Sequence, residues 1–372
     1  MAIEVKKLNI PLPFKEIGDL LYQTYFNDYK ESGALQWNEK YAEIYFNAWV
    51  LPKSDELIFG AWDGDKLVGL TVGHKEQIVV DNEFEIKATN IGLTAVHPDY
   101  RKQGIATQLV QNLIENARKF NYDMVFSMIQ KGKHGDAVLK KFNFIKMGKH
   151  EHLVKIMGKY GVKILKEYRG LNPVLAKLAE TLYSKIPEDK IIGTLREGKI
   201  PDDVPRIVEI INSYRTRVPL ARIYSQETYI KDVQGSSKLR EVFGEPWGLT
   251  WYVLEKDDKV MATITSRIEI TTFPKGSAPV ALLGNFGCDE SLSHEEKKGF
   301  LAEVVRKIQK NFPDVFICQI TSLQHEEKVF KDLNFTDDQE SYIFMLLPLT
   351  EKAQEIPNRY KKIKKFSLSY YR

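Results

Sequence analysis

Cysteine is scarce: only Cys288 and Cys318 occur in 372 residues. Two thiols and no Cys-x-x-Cys exclude a disulfide framework and point to a reducing, cytoplasmic setting. Long apolar runs are missing too. No stretch approaches the roughly 18–20 residues that span a bilayer, and the opening MAIEVKKLNIPLPF lacks the apolar core of a signal peptide. Charge of one sign is also lacking. The balance of 54 basic against 50 acidic residues, net +4, argues against nucleic acid or a membrane as partner. Apolar content is ordinary at 43%, with 28% charged residues, which rules out a disordered or collagen-like chain. At about 150 residues per domain, the length predicts two domains, each with its own core.

The hydrophobic pattern gives the order of elements. FKEIGDLLYQTYF places Ile17, Leu20, Leu21 and Tyr25 at helical spacing. Runs at 56–62 and 66–73 read as strands joined at Asp63-Gly64-Asp65, a hairpin turn. FEIKATNIGLTAV at 84–96 alternates and stops before Pro98. GIATQLVQNLIENARKF at 104–120 then repeats Ile105, Leu109, Leu113, Ile114 and Ala117 on one helical face. MVFSMI, DAVLKKF and a strand near 150–157 complete the segment. Hairpins leading into a strand–helix–strand–helix series predict an α+β domain on a mixed sheet.

The second half repeats the first. VLKKFNF at 138–144 matches VFKDLNF at 329–335, and DMVFSMI at 123–129 matches DVFICQI at the same offset of 191. The division expected is 1–157, a mainly helical connector at 158–190, a second copy at 191–350, and a Lys-rich tail at 351–372. Asn172 and Pro173 suit the start of a connector helix.

Chemistry concentrates between the 84–96 strand and the helix after it, in Val96-His97-Pro98-Asp99-Tyr100-Arg101-Lys102-Gln103-Gly104-Ile105-Ala106-Thr107. Gly104 and Ala106 keep side chains away where the backbone begins to coil. The first N–H groups of a helix lack internal partners and carry partial positive charge, so they receive phosphate or pyrophosphate. Arg101 and Lys102 add charge at the rim. These residues alone define an anion site at a helix start.

The segment resembles the GNAT superfamily, whose signature Gln/Arg-x-x-Gly-x-Gly/Ala follows Val-x-Pro-x-Tyr. Here it is Arg101-x-x-Gly104-x-Ala106 after Val96-x-Pro98-x-Tyr100. The resemblance implies two GNAT-like domains, each a mainly antiparallel mixed sheet flanked by helices. It implies that the amides of Lys102, Gln103, Gly104, Ile105, Ala106 and Thr107 hold the pyrophosphate of acetyl-CoA. It further implies that Thr94, Ala95 and Val96 pair with the pantetheine arm as an added strand would. The thioester would lie where that strand splays from its neighbour, with an amide near Val96 as oxyanion donor. The activity implied is transfer of an acetyl group onto a primary amine, by direct attack in a ternary complex. The acceptor could be a small amine, an amino-acid derivative or a protein N-terminus. Neither cysteine lies in the first half, which disfavours an acyl-cysteine route.

Departures from the family pattern touch acid–base chemistry. The common Glu positions are Asn90 and Met128 here, and the usual Tyr acid is Leu139. Asn90, holding a water, and Ser127, donating a hydrogen bond, are the catalytic candidates left. The alternative is a non-catalytic acyl-CoA-binding or scaffold protein with the same fold. A tandem aminoacyltransferase using charged tRNA would need a strong basic groove. In the second copy the loop Asp289–Gly299 has no matching motif, and its Asp289, Glu290, Glu295 and Glu296 would repel a pyrophosphate.

Other features read as structure. His150-x-His152 lacks a third ligand, so no metal is expected and the pair reads as solvated. The run Arg359–Lys365 reads as a solvated tail. Lys131, Lys133, Lys140 and Lys141 surround the expected nucleotide end. Aromatic residues crowd 22–49, which fits either an acceptor pocket or core.

Overall fold

The computed structural model describes residues 3–31, 33–130, 135–170, 172–182, 185–187, 191–321, 326–364 and 366–368. In the first half the order is β1 (Glu4–Lys7), α1 (Phe14–Tyr29), β2 (Ala34–Leu35), α2 (Glu39–Tyr45) and α3 (Leu51–Ser54). There follow β3 (Ile58–Asp63), β4 (Lys66–Val80), β5 (Phe84–Val96), α4 (Ile105–Lys119), β6 (Met124–Gln130), α5 (Gly135–Lys140) and β7 (Ile145–Ile156). The β3–β4 hairpin turns at Gly64, whose φ of 57° is the left-handed conformation such turns need. All five apolar residues assigned to the stripe of α4 are buried. Two connector helices follow, α6 (Gly158–Arg169) and α7 (Pro173–Leu182).

The second half repeats the order. It runs β8 (Thr194–Glu197), α8 (Val204–Arg215), β9 (Leu220–Arg222), α9 (Gln226–Phe243), β10 (Gly248–Lys256), β11 (Lys259–Phe273) and β12 (Gly276–Cys288). It ends with α10 (His294–Asn311), β13 (Ile317–Thr321), α11 (Glu327–Lys331), β14 (Thr336–Pro348) and a final helix, α12 (Glu351–Arg359).

The two sheets run into one, in the order β1-β3-β4-β5-β6-β14-β7-β13-β12-β11-β10-β8. At its centre the last strands are exchanged. β14 of the second half lies beside β6 of the first, and β7 of the first lies beside β13 of the second. Each copy thus finishes its sheet with a strand lent by the other.

On one face of the first-half sheet α4 packs with Ile91, Tyr122, Ile343 and Met345. The other face carries α1 and α2, with Trp37, Tyr41, Tyr45 and Trp49 against Leu93 and Ala95. Leu239 and Trp247 of the second half join this layer, and Tyr41 meets Trp247 at 5.8 Å between ring centroids. The aromatic residues from Trp37 to Trp49 are core. α10 covers one face of the second half, packing Phe300 and Val304 on Phe286, while α8 and α9 cover the other.

Two surface expectations are corrected. His152 is buried rather than solvated, hydrogen-bonded through Nδ1 to Gln319 Nε2 at 2.8 Å, because β13 pairs with β7 and covers it. The tail is solvated at Lys361, Lys362 and Lys364 but not throughout: Ile363, Phe366 and Leu368 are buried against Phe344 and Leu346. Main-chain bonds from Ile363 N–H to Met147 O and from Ser367 N–H to Leu220 O fix its path. Its apolar residues cover the sheet face that the lysines only border. Among the described residues no His, Cys, Asp and Glu group could hold a metal, and no helix is long and apolar enough to cross a membrane.

Candidate active site

β5 pairs with antiparallel β4 along its length, but with parallel β6 only through Ala88, Thr89 and Asn90 against Met124, Val125 and Phe126. Beyond that point β6 continues beside β14, with Ser127 opposite Met345, while Ile91–Val96 lose their neighbour. A gap opens, with Asn90 and Ser127 at its apex. Ser127 Oγ donates to Ile91 O at 3.2 Å, the last link across before the strands part. A β-bulge falls at the same place: the β4–β5 register slips so that Ile91 and Leu93 face successive residues, leaving Gly92 unmatched.

Successive residues of a strand turn their amides to opposite edges. His97 N–H donates to Val68 O on the β4 side, so Val96 and Thr94 present theirs to the gap and Ala95 does not. Of the three residues assigned to the pantetheine arm, Thr94 and Val96 lie on the open edge. Ala95 turns its amide to β4 and buries its methyl against α1 and α2. Thr94 Oγ1 lies 2.9 Å from Thr71 Oγ1.

The gap leads toward the start of α4. Gly104 is its N-cap, at φ 81° and ψ 0°, and no side chain caps the helix. The first intrahelical bond runs from Gln108 N–H to Gly104 O. The amides of Ile105, Ala106 and Thr107 therefore have no partner within the helix. Lys102 also has a positive φ, of 65°, which curls the loop. A Cβ built on Gly104 meets nothing within 4 Å, so this corner is open space. Lys102, Gln103 and Gly104 are exposed, Ile105 is buried, and Ala106 and Thr107 are half-buried.

Arg101 plays a different part from the rim cation expected. Its terminal nitrogens grip both oxygens of Asp28 at 2.9 and 3.0 Å, and its Nε donates to Val96 O at 3.3 Å. It ties the loop to α1 and to the end of β5. Lys141 also reaches the first turn of the helix: its Nζ lies 3.5 Å from Thr107 Oγ1. Lys140 turns to Asp136 instead, and Lys131 and Lys133 lie outside the described residues.

The two catalytic candidates are both buried at the apex but face opposite ways. Ser127 lies opposite Met345 on the α4 side. Asn90 lies opposite His74, under the α1–α2 layer, and its Oδ1 is buried with no hydrogen-bond partner among the described residues. Leu139 is core, as an aliphatic residue there should be.

Sequence reading missed the neighbours of Asn90. His74 is buried, and its Nε2 lies 2.9 Å from Tyr45 Oη. Burial, then Lys53 and Arg222, push the imidazole pKa down to about 3, so the ring is neutral. Next to it Glu76 pairs with Arg222 Nε at 2.6 Å, Arg222 also reaches Asp232, and Asp232 holds Lys53. Burial raises the Glu76 pKa and Arg222 opposes it. These partners come from both halves, so no local pattern announces them.

The matching place in the second copy is filled by its own side chains. Ser293 Oγ accepts from Glu296 N–H at the start of α10 while Glu296 Oε2 accepts from Ser293 N–H, a capping box. Asp289 Oδ1 accepts from Ser291 N–H at 2.9 Å. Two carboxylates and a hydroxyl of the loop itself thus take up amides there.

A family model described as the acetyltransferase (GNAT) family matches residues 19–142. Solved structures match almost the whole chain. One is N-myristoyltransferase from Saccharomyces cerevisiae with bound myristoyl-CoA, at 14% identity and a TM-score of 0.72, covering 93% of this chain and 78% of that one. A second structure of that enzyme, with inhibitors also bound, gives 15% and 0.71, covering 93% and 80%. A GCN5-related N-acetyltransferase from Anabaena variabilis gives 11% and 0.56, covering 94% and 73%. At such identities the likeness is one of fold. No curated protein sequence matches the chain.

Proposed function

We propose that the chain is a tandem member of the acetyltransferase (GNAT) family with a degenerate second copy, and that it is an acetyl-CoA-dependent N-acyltransferase. One observation carries the reading. The uncapped start of α4 at Gly104 lies at the mouth of the gap between β5 and β6. An anion cradle and a strand edge are thereby joined in one site.

In this reading the amides of Lys102 through Thr107 receive the pyrophosphate and Lys141 supports it. The pantetheine arm follows the open edge at Thr94 and Val96, which brings the thioester to Asn90. The amine nitrogen attacks the carbonyl carbon and the C–S bond breaks. A main-chain amide of this open edge steadies the developing oxyanion, and the thiolate takes up a proton. The ammonium must first lose a proton, and Asn90 Oδ1, a buried acceptor at the apex, suits a water that carries it away. Holding both reactants in one cleft supplies most of the acceleration. The second copy lends β14 beside β6 and packs α9 on the aromatic layer.

The test mixes the protein with acetyl-CoA and a panel of primary amines and follows free thiol. Release that needs both partners is expected. Binding of acetyl-CoA with no thiol release on any amine would instead make this an acyl-CoA-binding protein. Asn90→Ala is expected to slow turnover with little change in CoA affinity, and wild-type turnover in that variant would remove Asn90 from the site.

A further inference from the structure

The donor's acyl group would enter the sheet at the bulge of β5, and what stands there decides how long a chain fits. Gly92, the unmatched residue, has its missing side chain aimed at His74. A Cβ built on it would lie 2.3 Å from His74 Cδ2 and 2.5 Å from Nε2. The imidazole thus rests directly on the backbone of the bulge, immediately past Asn90. Its Nε2 is held by Tyr45 Oη at 2.9 Å, with the two rings crossed at 89°. Tyr45 is backed by Trp37 at 5.2 Å, Trp49 at 5.4 Å and Phe46 at 5.6 Å between centroids. Every one of these rings is at most 3% exposed.

We propose that the Tyr45–His74 pair is the end wall of the acyl site, so that the donor carries acetyl or a similarly short group and long-chain acyl-CoA is excluded. The inference rests on the function proposed above and adds the residues that limit the acyl length. A neutral, edge-on imidazole offers a methyl group apolar contact. Trp37, Phe46 and Trp49 close-pack behind it, and such interiors do not yield a channel without losing contacts and hydrogen bonds. Glu76, Lys53, Arg222 and Asp232 lie beyond the ring in the same buried layer. A long chain pushed that way would also have to displace paired charges. Tyr45 and His74 are specificity-determining positions in this scheme and need take no part in bond making.

Calorimetric titration of the wild-type protein with CoA, acetyl-CoA, octanoyl-CoA and tetradecanoyl-CoA tests this. A protein that buried the chain would gain about fourfold in affinity per methylene. Here acetyl-CoA is expected to bind like CoA, and tetradecanoyl-CoA at least about tenfold more weakly than acetyl-CoA. Tyr45→Ala and His74→Gly should each raise octanoyl-CoA affinity relative to acetyl-CoA by about tenfold, while Tyr45→Phe, which keeps the ring, should keep the cut-off. Should either truncated protein fail to fold, the wild-type series alone decides. Tight binding of tetradecanoyl-CoA to wild type, or an unmoved ratio in a folded Tyr45→Ala protein, would overturn the inference and leave the proposed function standing. Failure of CoA and acetyl-CoA alike to bind would overturn both.

Discussion

Met345, in the last strand of the second copy, lies opposite Ser127, in the sixth strand of the first. The edge of the candidate site is therefore built from both halves. Ile343, Met345 and Leu347 pack under α4 as part of the first half's own core. In return β7 pairs Leu153 with Ile320 and Val154 with Gln319 across the seam.

Separated halves should accordingly fail on their own. A fragment of residues 1–157 loses β14, leaving β6 with an unpaired edge and α4 without three of its apolar contacts. Expressed alone it is expected to aggregate or lack a cooperative thermal transition, and mixing with 158–372 during refolding should restore one. A sharp transition in the isolated fragment would contradict this.

Gly104 sets the helix start. Gly104→Ala forces a side chain onto φ 81°, at a cost of about 1–2 kcal/mol in stability, although the space is open. Gly104→Asp adds a carboxylate where a pyrophosphate would sit and should weaken CoA binding more than about tenfold, or about 1.4 kcal/mol. Calorimetry separates the two effects. Equal CoA affinity in the aspartate variant would contradict the placement.

The Arg101–Asp28 fork positions the loop. In Asp28→Asn the paired charge is lost, and in Arg101→Lys the planar fork is lost, since an ammonium cannot grip two oxygens in the same way. Both variants should weaken CoA binding about three- to tenfold through a looser loop, with little change in kcat at saturating CoA. Steady-state kinetics with varied CoA donor would show the effect in KM.

Acid should unmask His74. The unfolded imidazole titrates near its ordinary 6.5 and the folded one near 3, chiefly because of burial. Between those values the unfolded chain holds a proton that the folded one refuses. This contribution to stability is fully present above about 6.5 and is lost as pH falls toward 3, by at most about 1.4 kcal/mol per pH unit. Glu76, whose pKa is raised, works in the opposite direction, so the comparison is made against a variant. The thermal midpoint of His74→Gln should fall less than that of wild type between pH 6.5 and 4.5. Parallel curves would show that the ring titrates normally.

Legibility followed sequence distance. The α4 stripe, the β3–β4 turn and the Val96–Thr107 loop are local patterns, set by 3.6-residue and two-residue periods and by glycine's freedom at positive φ, and they stand where the pattern put them. The repeat at 138–144 and 329–335 gave the order of the second half. Arg101 was read as a rim cation because its partner, Asp28, is 73 residues away. His152 and the C-terminal segment looked solvated because the strands and sheet face that cover them belong to the other copy.

By itself the sequence determined the elements, their duplication and the helix start at Gly104, since each depends on neighbours a few residues apart. Tertiary structure alone decided which strand lies beside β6, where Arg101 spends its charge, and that His74 rests on Gly92 at the end of the gap. Those depend on pairings between residues far apart in the chain, such as Glu76 with Arg222. Close packing and the cost of burying an unpaired charge choose among such pairings, and a linear pattern carries no record of that choice.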